Sequence, residues 1–213
     1  MKVGIMQPYF FPYIGYFQLI CNTDRFILLD TVQFIRHGWI ERNRIQDQKG
    51  GWIYIKVPLI KQNGRETKIQ EVKIDNSSHW QEKILDQLSI YKKKAPFYQQ
   101  TIQLVQEILS KKYENIVTLD RACLKAVCNY LGYETEIEIF SEMNIEIERP
   151  KAPDEWALNI CKAIGNVDEY WNPPGGKAFF DRTKYENNLI FLKFLEPELI
   201  KYDQRNREFI DSL

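Results

Sequence analysis

The densest group of side chains able to bind a ligand lies between residues 36 and 44. Arg36, Arg42 and Arg44 present planar pairs of N–H donors, which fit the oxygens of a phosphate or a carboxylate. Trp39 lies among them and offers a flat apolar face for a sugar ring or a base. In the alternative interpretation the stretch is a solvated loop whose arginines pair with nearby carboxylates, those of Asp24, Asp30 and Glu41. We favour ligand binding, because the stretch follows a strand that should neighbour the first one.

Further polar and aromatic groups follow the first two apolar segments of the chain. They are Gln7, Tyr9 and Tyr16 after the first segment, and Asp30 and Gln33 after the second. Glutamine and aspartate side chains at strand ends are suited to orienting an amine, and Asp30 is a candidate general base. Asp30 and Gln33 are therefore the candidate catalytic groups, whereas Gln7, Tyr9 and Tyr16 are candidates for substrate binding.

A glycine-containing junction, NPPGGK at residues 172–177, has the form of an anion cradle. Gly175 and Gly176 allow backbone N–H groups to converge on a negative group, Asn172 begins the turn, and Lys177 adds a positive charge. The junction lacks the G-x-x-x-x-G-K-[ST] spacing of a Walker motif.

Because parallel strands deliver the loops that follow them to one edge of a sheet, these segments should form one pocket. Its expected lining is Gln7, Tyr9, Asp30, Gln33, Arg42, Arg44 and residues 172–177. Such a pocket suits a phosphorylated or carboxylated ligand that carries a hydroxylated ring. The alternative is that Asp30 and an arginine merely pair with each other to fix the loop.

Other chemically versatile residues are isolated in the sequence. His79 is a candidate acid, base or substrate-binding group at a helix start, and the alternative is an ordinary surface residue. The cysteines have no C-x-x-C spacing, so we interpret them as reduced core residues rather than metal ligands or disulfides; they are Cys21, Cys123, Cys128 and Cys161. The H-x-x-x-H, G-x-S-x-G and G-x-G-x-x-G motifs are missing, and the sequence indicates neither a metal nor a cofactor.

Charge and hydropathy narrow the class of partner. The 213 residues carry 29 basic and 29 acidic side chains, so the chain lacks the overall positive field typical of nucleic-acid binding. No apolar run is long enough to span a membrane, and the N-terminus does not have the form of a secretory signal. We expect a cytoplasmic protein that acts on a small-molecule substrate, without nucleic acid and without membrane insertion. The oligomeric state is not indicated.

The N-terminal segments predict an α/β fold. Residues 3–6 and 25–29 are compact apolar runs typical of buried parallel strands, and a helix over residues 14–21 should connect them. With later strand candidates at residues 134–140, 169–171 and 189–195, this predicts a mostly parallel, Rossmann-like sheet flanked by helices. We expect a single domain over residues 1–213.

Two departures from that pattern are expected. The Asn63-Gly64 pair is a hairpin signal, so residues 52–57 and 67–74 are predicted to form an antiparallel hairpin inserted into the α/β fold. Amphipathic segments over residues 79–93, 97–111 and 118–131 predict helices, which form a possible small helical lobe at about residues 76–132.

Long ordered motifs along almost the whole chain resemble the WbqC-like family: MQPYFFPYIGYFQLI, FILLDTVQFIRHGWIERNRI, WIYIKVP, IDNSSHWQEK, YKKKAPFY and NPPGG. The resemblance implies a bacterial protein from O-antigen, lipopolysaccharide or other surface-polysaccharide gene clusters, or from secondary-metabolite clusters. Members of that family usually continue past a segment like FIDSL, so a C-terminal element is expected to be missing here.

Two shorter resemblances concern the opening. Its strand, proline-containing loop and helix are similar to the nucleotidylyltransferase superfamily, whose H-x-G-H histidines are replaced here by Tyr13 and Tyr16. Neutral tyrosines lack the positive charge of those histidines, which tells against nucleotidyl transfer. Gln33 and Phe34 match an N-P-x-Q-F segment of pantothenate synthetases, enzymes that form an amide on an amine.

Together the resemblances imply an enzyme that transfers an acyl or aminoacyl group to an amine, such as that of a nucleotide-linked amino sugar. Its partners would be a nucleotide sugar and an acyl donor. The alternative is a non-catalytic nucleotide-sugar-binding or assembly protein of the same pathway. Both alternatives use the same candidate residues.

Overall fold

The computed structural model, which describes residues 1–61, 66–204 and 209–210, contains a five-stranded parallel sheet flanked by helices and a separate two-stranded sheet. The strands are β1 (Lys2–Met6), β2 (Arg25–Leu28), β3 (Arg42–Gln46), β4 (Trp52–Lys56), β5 (Glu136–Ile139), β6 (Glu169–Asn172) and β7 (Phe191–Phe194). The helices are α1 (Ile14–Cys21), α2 (Trp80–Leu88), α3 (Tyr98–Leu109), α4 (Ile116–Leu131), α5 (Glu155–Ile164) and α6 (Arg182–Glu186). The predicted α/β class is confirmed.

The strand order of the large sheet is β5-β2-β1-β6-β7, and all its pairings are parallel. From β1 the chain builds first to one side, through β2 and β5, and later to the other side, through β6 and β7. The loops that follow β1 and β6 therefore leave neighbouring strands in opposite directions. In open α/β sheets this reversal of strand order creates a crevice at the carboxyl ends of the strands.

Alternate residues of the sheet face two clusters of buried apolar side chains. Phe26 and Leu28 of β2 join the cluster that contains side chains of α1 and α2 to α4. Ile27 joins the cluster that contains side chains of α5. This alternation, expected from strand geometry, decides which face of the sheet each helix covers.

The predicted hairpin is wrong in its pairing. Strand β4 pairs with β3 instead of with residues 67–74, and the two strands are joined by a turn in which Gly50 and Gly51 have φ of 102° and 72°. Glycine adopts such positive φ values readily, which explains why the chain reverses there. The Asn63-Gly64 pair lies outside the described residues. Residues 67–74 contain a 3₁₀ turn at Ile69–Glu71 and isolated bridges, one of which joins Leu59 to Ile74.

Helix ends follow the sequence signals in part. Asn115 caps α4 by accepting a hydrogen bond from the Thr118 N–H at 2.8 Å, and Gly132, with φ of 77°, ends that helix. Asp154 precedes α5 but makes no capping bond, because its carboxylate instead pairs with Lys184 at 3.1 Å. Within the described residues, no helix combines the length and the apolar character that crossing a membrane requires.

Candidate functional site

A cavity of about 1140 Å³, here called the main cavity, lies at the carboxyl ends of β1, β2 and β6. Met6 and Gln7 at the end of β1 line it beside Asn172 at the end of β6. Its position is therefore the crevice that the reversal of strand order creates. The predicted meeting of the loops after the first strand and after β6 is found in the structure.

The structure brings most of the candidate residues to this cavity. Those that line it are Gln7, Tyr9, Tyr16, Gln33, Trp39, Arg44, Asn172, Gly175 and Gly176. Five candidates lie elsewhere: Asp30, Arg36, Arg42, His79 and Lys177. The single pocket expected from sequence thus forms without Asp30, Arg42 and Lys177.

Asp30 is buried and is not among the residues that line the main cavity. Its side chain is hydrogen-bonded to the turn that follows β5. Its carboxylate accepts hydrogen bonds from the Ser141 N–H at 3.0 Å and from the Ser141 hydroxyl at 2.5 Å. Burial raises the pKa of Asp30, and the bonds from Ser141 oppose that rise. These contacts join the end of β2 to the end of β5, and Asp30 is not among the residues that line the main cavity, where the predicted base was expected.

Arg42 and Lys177 are also held by protein groups. The Arg42 guanidinium lies 3.9 Å from the centre of the Tyr54 ring and donates to the carbonyls of His37 and Gly38. Lys177 pairs with Glu196. Arg42 is thus held within the protein, but by two carbonyls and a ring and not by the carboxylates of the alternative interpretation.

His79 and Arg36 lie on the surface. The side chain of His79 is 88% exposed and lies 3.5 Å from the Glu82 carboxylate in the first turn of α2. Arg36 is exposed in the loop before β3. Neither residue is among those that line the main cavity.

The charge of the main cavity has one sign. Arg44 and Lys151 are the charged side chains among its described lining residues, and that lining contains no aspartate, glutamate, histidine, cysteine, serine or threonine. The chain as a whole has zero net charge, so this local excess is a property of the site. A cavity of this composition attracts an anion, and its described lining offers no hydroxyl of serine or threonine, no thiol and no carboxylate as a nucleophile.

Arg44 is held in place by two tryptophan rings. Its guanidinium carbon lies 5.3 Å from the centre of the Trp39 ring and 5.3 Å from that of Trp52. Both tryptophans are partly solvent-exposed, at 39% and 42%. These two cation–π contacts restrict the position of the arginine at the boundary of the main cavity.

The loop after β1 is shaped by bonds to β3 and α1. The Asn43 amide donates to the carbonyls of Phe10 and Phe11, and the Phe10 N–H donates to the Trp39 carbonyl at 2.9 Å. The Tyr16 hydroxyl donates to the Gln7 carbonyl at 2.8 Å. Burial raises the pKa of Tyr16 well above its usual value, so this residue remains a neutral donor.

One wall of the main cavity was not predicted from sequence. It includes Lys151 in the linker before α5, Trp156 on α5, Tyr170 on β6 and Phe180 after the glycine-rich turn. The Asn172 amide donates to the Tyr170 hydroxyl at 2.6 Å. The one sequence signal that pointed here was the NPPGGK junction, because the linker and α5 become neighbours of β1 only through the strand order.

The two adjacent glycines of that junction have different surroundings, which yields a prediction. A Cβ at Gly176 would contact the Asn172 side-chain oxygen and lie 2.8 Å from the Phe180 ring, whereas a Cβ at Gly175 would meet nothing within 4 Å. We expect Gly176→Ala to lower the free energy of unfolding by about 1–3 kcal/mol through overpacking. Gly175→Ala is the matched control and should unfold like the wild type. Equal urea midpoints for the two variants would contradict this account.

Comparison with known proteins identifies the family. The model of the WbqC-like protein family matches residues 7–213. A Mycobacterium tuberculosis protein described as the uncharacterized protein Rv1507c is 30% identical over 195 residues, which is 89% of this chain and 79% of that protein. No solved structure matches the chain. Because the family model extends over nearly the whole sequence, the chain belongs to the WbqC-like protein family.

Proposed function

We propose that this WbqC-like protein is an enzyme of bacterial surface-polysaccharide (O-antigen) or related biosynthesis. It transfers an acyl or aminoacyl group to an amine, that of a nucleotide-linked amino sugar. The acceptor occupies the main cavity, and an activated acyl donor binds beside it. The pathway rests on the family resemblance, and the type of reaction rests on the likeness of the opening to amide-forming enzymes.

The observation that carries this proposal is a cavity whose charged lining residues, Arg44 and Lys151, are both positive. The diphosphate of a nucleotide sugar is an anion that such a lining attracts. Trp39 and Tyr9 offer aromatic faces to the sugar and the base. The volume of about 1140 Å³ exceeds the roughly 300–1000 Å³ usual for one small ligand, which leaves room for donor and acceptor together.

The composition of the lining favours direct transfer between two bound substrates. The uncharged amine nitrogen of the acceptor attacks the carbonyl carbon of the donor, for instance a thioester or an acyl phosphate. A C–N bond forms, the bond to the leaving group breaks with its electron pair, and the extra proton on nitrogen passes to water. Gln7 and Gln33 line the main cavity, and in this proposal their amide oxygens accept hydrogen bonds from the amine.

A covalent acyl-enzyme on Cys128 or Cys161 is disfavoured by the state of these two thiols. Burial raises the pKa of Cys128 to about 11 and that of Cys161 to about 12, so neither is a thiolate at neutral pH. Neither residue lines the main cavity. Direct transfer therefore assigns the protein the tasks of binding, orientation and exclusion of water.

The second candidate function is a non-catalytic nucleotide-sugar-binding or assembly protein of the same pathway. A specific observation favours it: the described lining has no carboxylate or imidazole that could accept the proton of the attacking amine. Binding by itself requires only the positive charge, the aromatic faces and the backbone donors.

The two candidates are separated by incubating the protein with a panel of UDP- and dTDP-linked amino sugars and acyl thioesters. Mass spectrometry of the nucleotide sugars detects transfer as a mass increase equal to the acyl group minus the one hydrogen that it replaces on the amine nitrogen. That hydrogen is balanced by the free thiol released from the donor. Thermal stabilisation by the nucleotide sugar without any product would support the binding protein. Absence of both stabilisation and product across the panel would refute both candidates.

A further inference from the structure

A second cavity lies between the two-stranded sheet and the helices α2 and α3, and its volume is about 340 Å³. Aliphatic side chains from both strands and both helices line it: Ile45, Ile55, Leu88, Ile102 and Val105. Phe11, whose backbone has a positive φ of 43°, adds an aromatic ring to the wall. Such a lining favours an apolar occupant, because burying a polar group there would leave it without hydrogen bonds.

The second cavity is continuous in its lining with the main cavity. Asn43 and Arg44 line both. Among the described residues that line the second cavity, Arg44 is the one with a charged side chain. Positive charge therefore lies at one boundary of a mainly apolar space. A ligand that extends from one cavity to the other would place a carboxyl group beside Arg44 and a hydrocarbon group among the aliphatic side chains.

We infer that the second cavity binds the alkyl chain of an acyl donor whose carbonyl end lies beside Arg44. This inference rests on the proposed function and names the class of donor, a carboxylic acid derivative with a saturated chain of medium length. The volume of the second cavity is sufficient for such a chain, since a cavity of about 150 Å³ lined by aliphatic groups holds one benzene ring. A cavity of about 340 Å³ has room for a longer hydrocarbon.

The free straight-chain carboxylates from butanoate to decanoate are the probes, titrated into the full-length chain by isothermal titration calorimetry. Each added methylene should raise the affinity about fourfold, the equivalent of about 0.8 kcal/mol of apolar burial, until the cavity is full. Affinity that does not depend on chain length, or no binding of any carboxylate, would overturn the inference.

Thr101 and Gln103 provide a matched pair of variants. Both are exposed positions on α3, but Thr101 lines the second cavity and Gln103 does not. Thr101→Leu should weaken the binding of octanoate and decanoate about tenfold and leave the affinity for butanoate unchanged, because the larger side chain shortens the second cavity. Gln103→Leu should bind every carboxylate like the wild type. Ala95→Leu, also in the lining, repeats the test should Thr101→Leu not fold.

The inference and the proposed function fail in different ways. The inference is supported if affinity increases with chain length and Thr101→Leu weakens the binding of the longer chains, even when no acyl group is transferred to any amino sugar. Conversely, transfer from acetyl and octanoyl thioesters with equal efficiency would retain the proposed function and reject a chain site in the second cavity. Equal weakening of all carboxylates by Thr101→Leu would likewise reject it.

Discussion

Replacement of Arg44 by alanine is expected to weaken the binding of a UDP-linked amino sugar by roughly ten- to a hundredfold. The physical reason is the loss of charge-assisted hydrogen bonds to the diphosphate, each worth about 1.5–3 kcal/mol. Arg44 is one of two charged residues in the described lining, and its guanidinium contacts the rings of Trp39 and Trp52. Isothermal titration calorimetry measures the change.

Arg42→Ala is the matched control, because Arg42 lies on the same strand and has the same side chain. Its guanidinium packs on Tyr54 and bonds the carbonyls of residues 37 and 38, outside the main cavity. Its removal should leave the affinity unchanged and lower the free energy of unfolding by about 0.5–2 kcal/mol. Equal losses of affinity in the two variants, or no loss in Arg44→Ala, would show that the anion does not bind beside Arg44.

This pair of arginines also shows where sequence reasoning ends. Residues two apart in a strand point to the same face, so neither residue type nor alternation distinguishes Arg42 from Arg44. The difference comes from neighbours: Tyr54 and two loop carbonyls surround Arg42, and two tryptophans flank Arg44. Likewise, the partner of Asp30 is Ser141, which is distant in sequence and becomes a neighbour only through the pairing of β2 with β5.

The fold was predictable where apolar runs were compact. Strands β1 and β2, the intervening helix and the parallel class follow from the first thirty or so residues. Strand β3 has the polar sequence RNRIQ, so its pairing with β4 was missed and Asn63-Gly64 was preferred as the hairpin turn. The strand order depends on contacts among remote segments, and with it the wall of the main cavity that includes Trp156 and Tyr170.

A buried carboxyl group on α4, that of Asp120, is expected to make the stability of the protein depend on pH. Asp120 is fully buried, and within the described part of the chain neither of its carboxyl oxygens has a hydrogen-bond partner. Burial raises the pKa of Asp120 well above its usual value, and the negative charge of Glu41 raises it further. Glu41 itself is buried, with one carboxyl oxygen accepting a bond from the His37 N–H at 2.5 Å.

The sign of the pH dependence follows from linkage. The pKa of Asp120 is higher in the folded than in the unfolded chain, so between the two values the folded protein binds more protons. The stabilisation that protonated Asp120 contributes is complete below the unfolded pKa, near 4, and is lost as the pH rises through the folded pKa. Above the unfolded pKa, the free energy of unfolding is therefore reduced, because the folded chain must either keep the Asp120 carboxyl group protonated or bury its negative charge.

Asp120→Asn removes this titration and keeps the shape of the side chain. We expect the stability of the variant relative to the wild type to increase by about 1–3 kcal/mol between pH 5 and pH 8, the cost of a poorly solvated buried polar group. Urea unfolding at the two pH values gives that double difference, in which the contribution of Asp30, whose pKa is also raised, cancels. Asp86→Asn, at an exposed position on α2, is the control and should shift stability equally at both pH values. Parallel pH profiles for wild type and Asp120→Asn would mean that the Asp120 carboxyl group has the same proton affinity in the folded and unfolded chains.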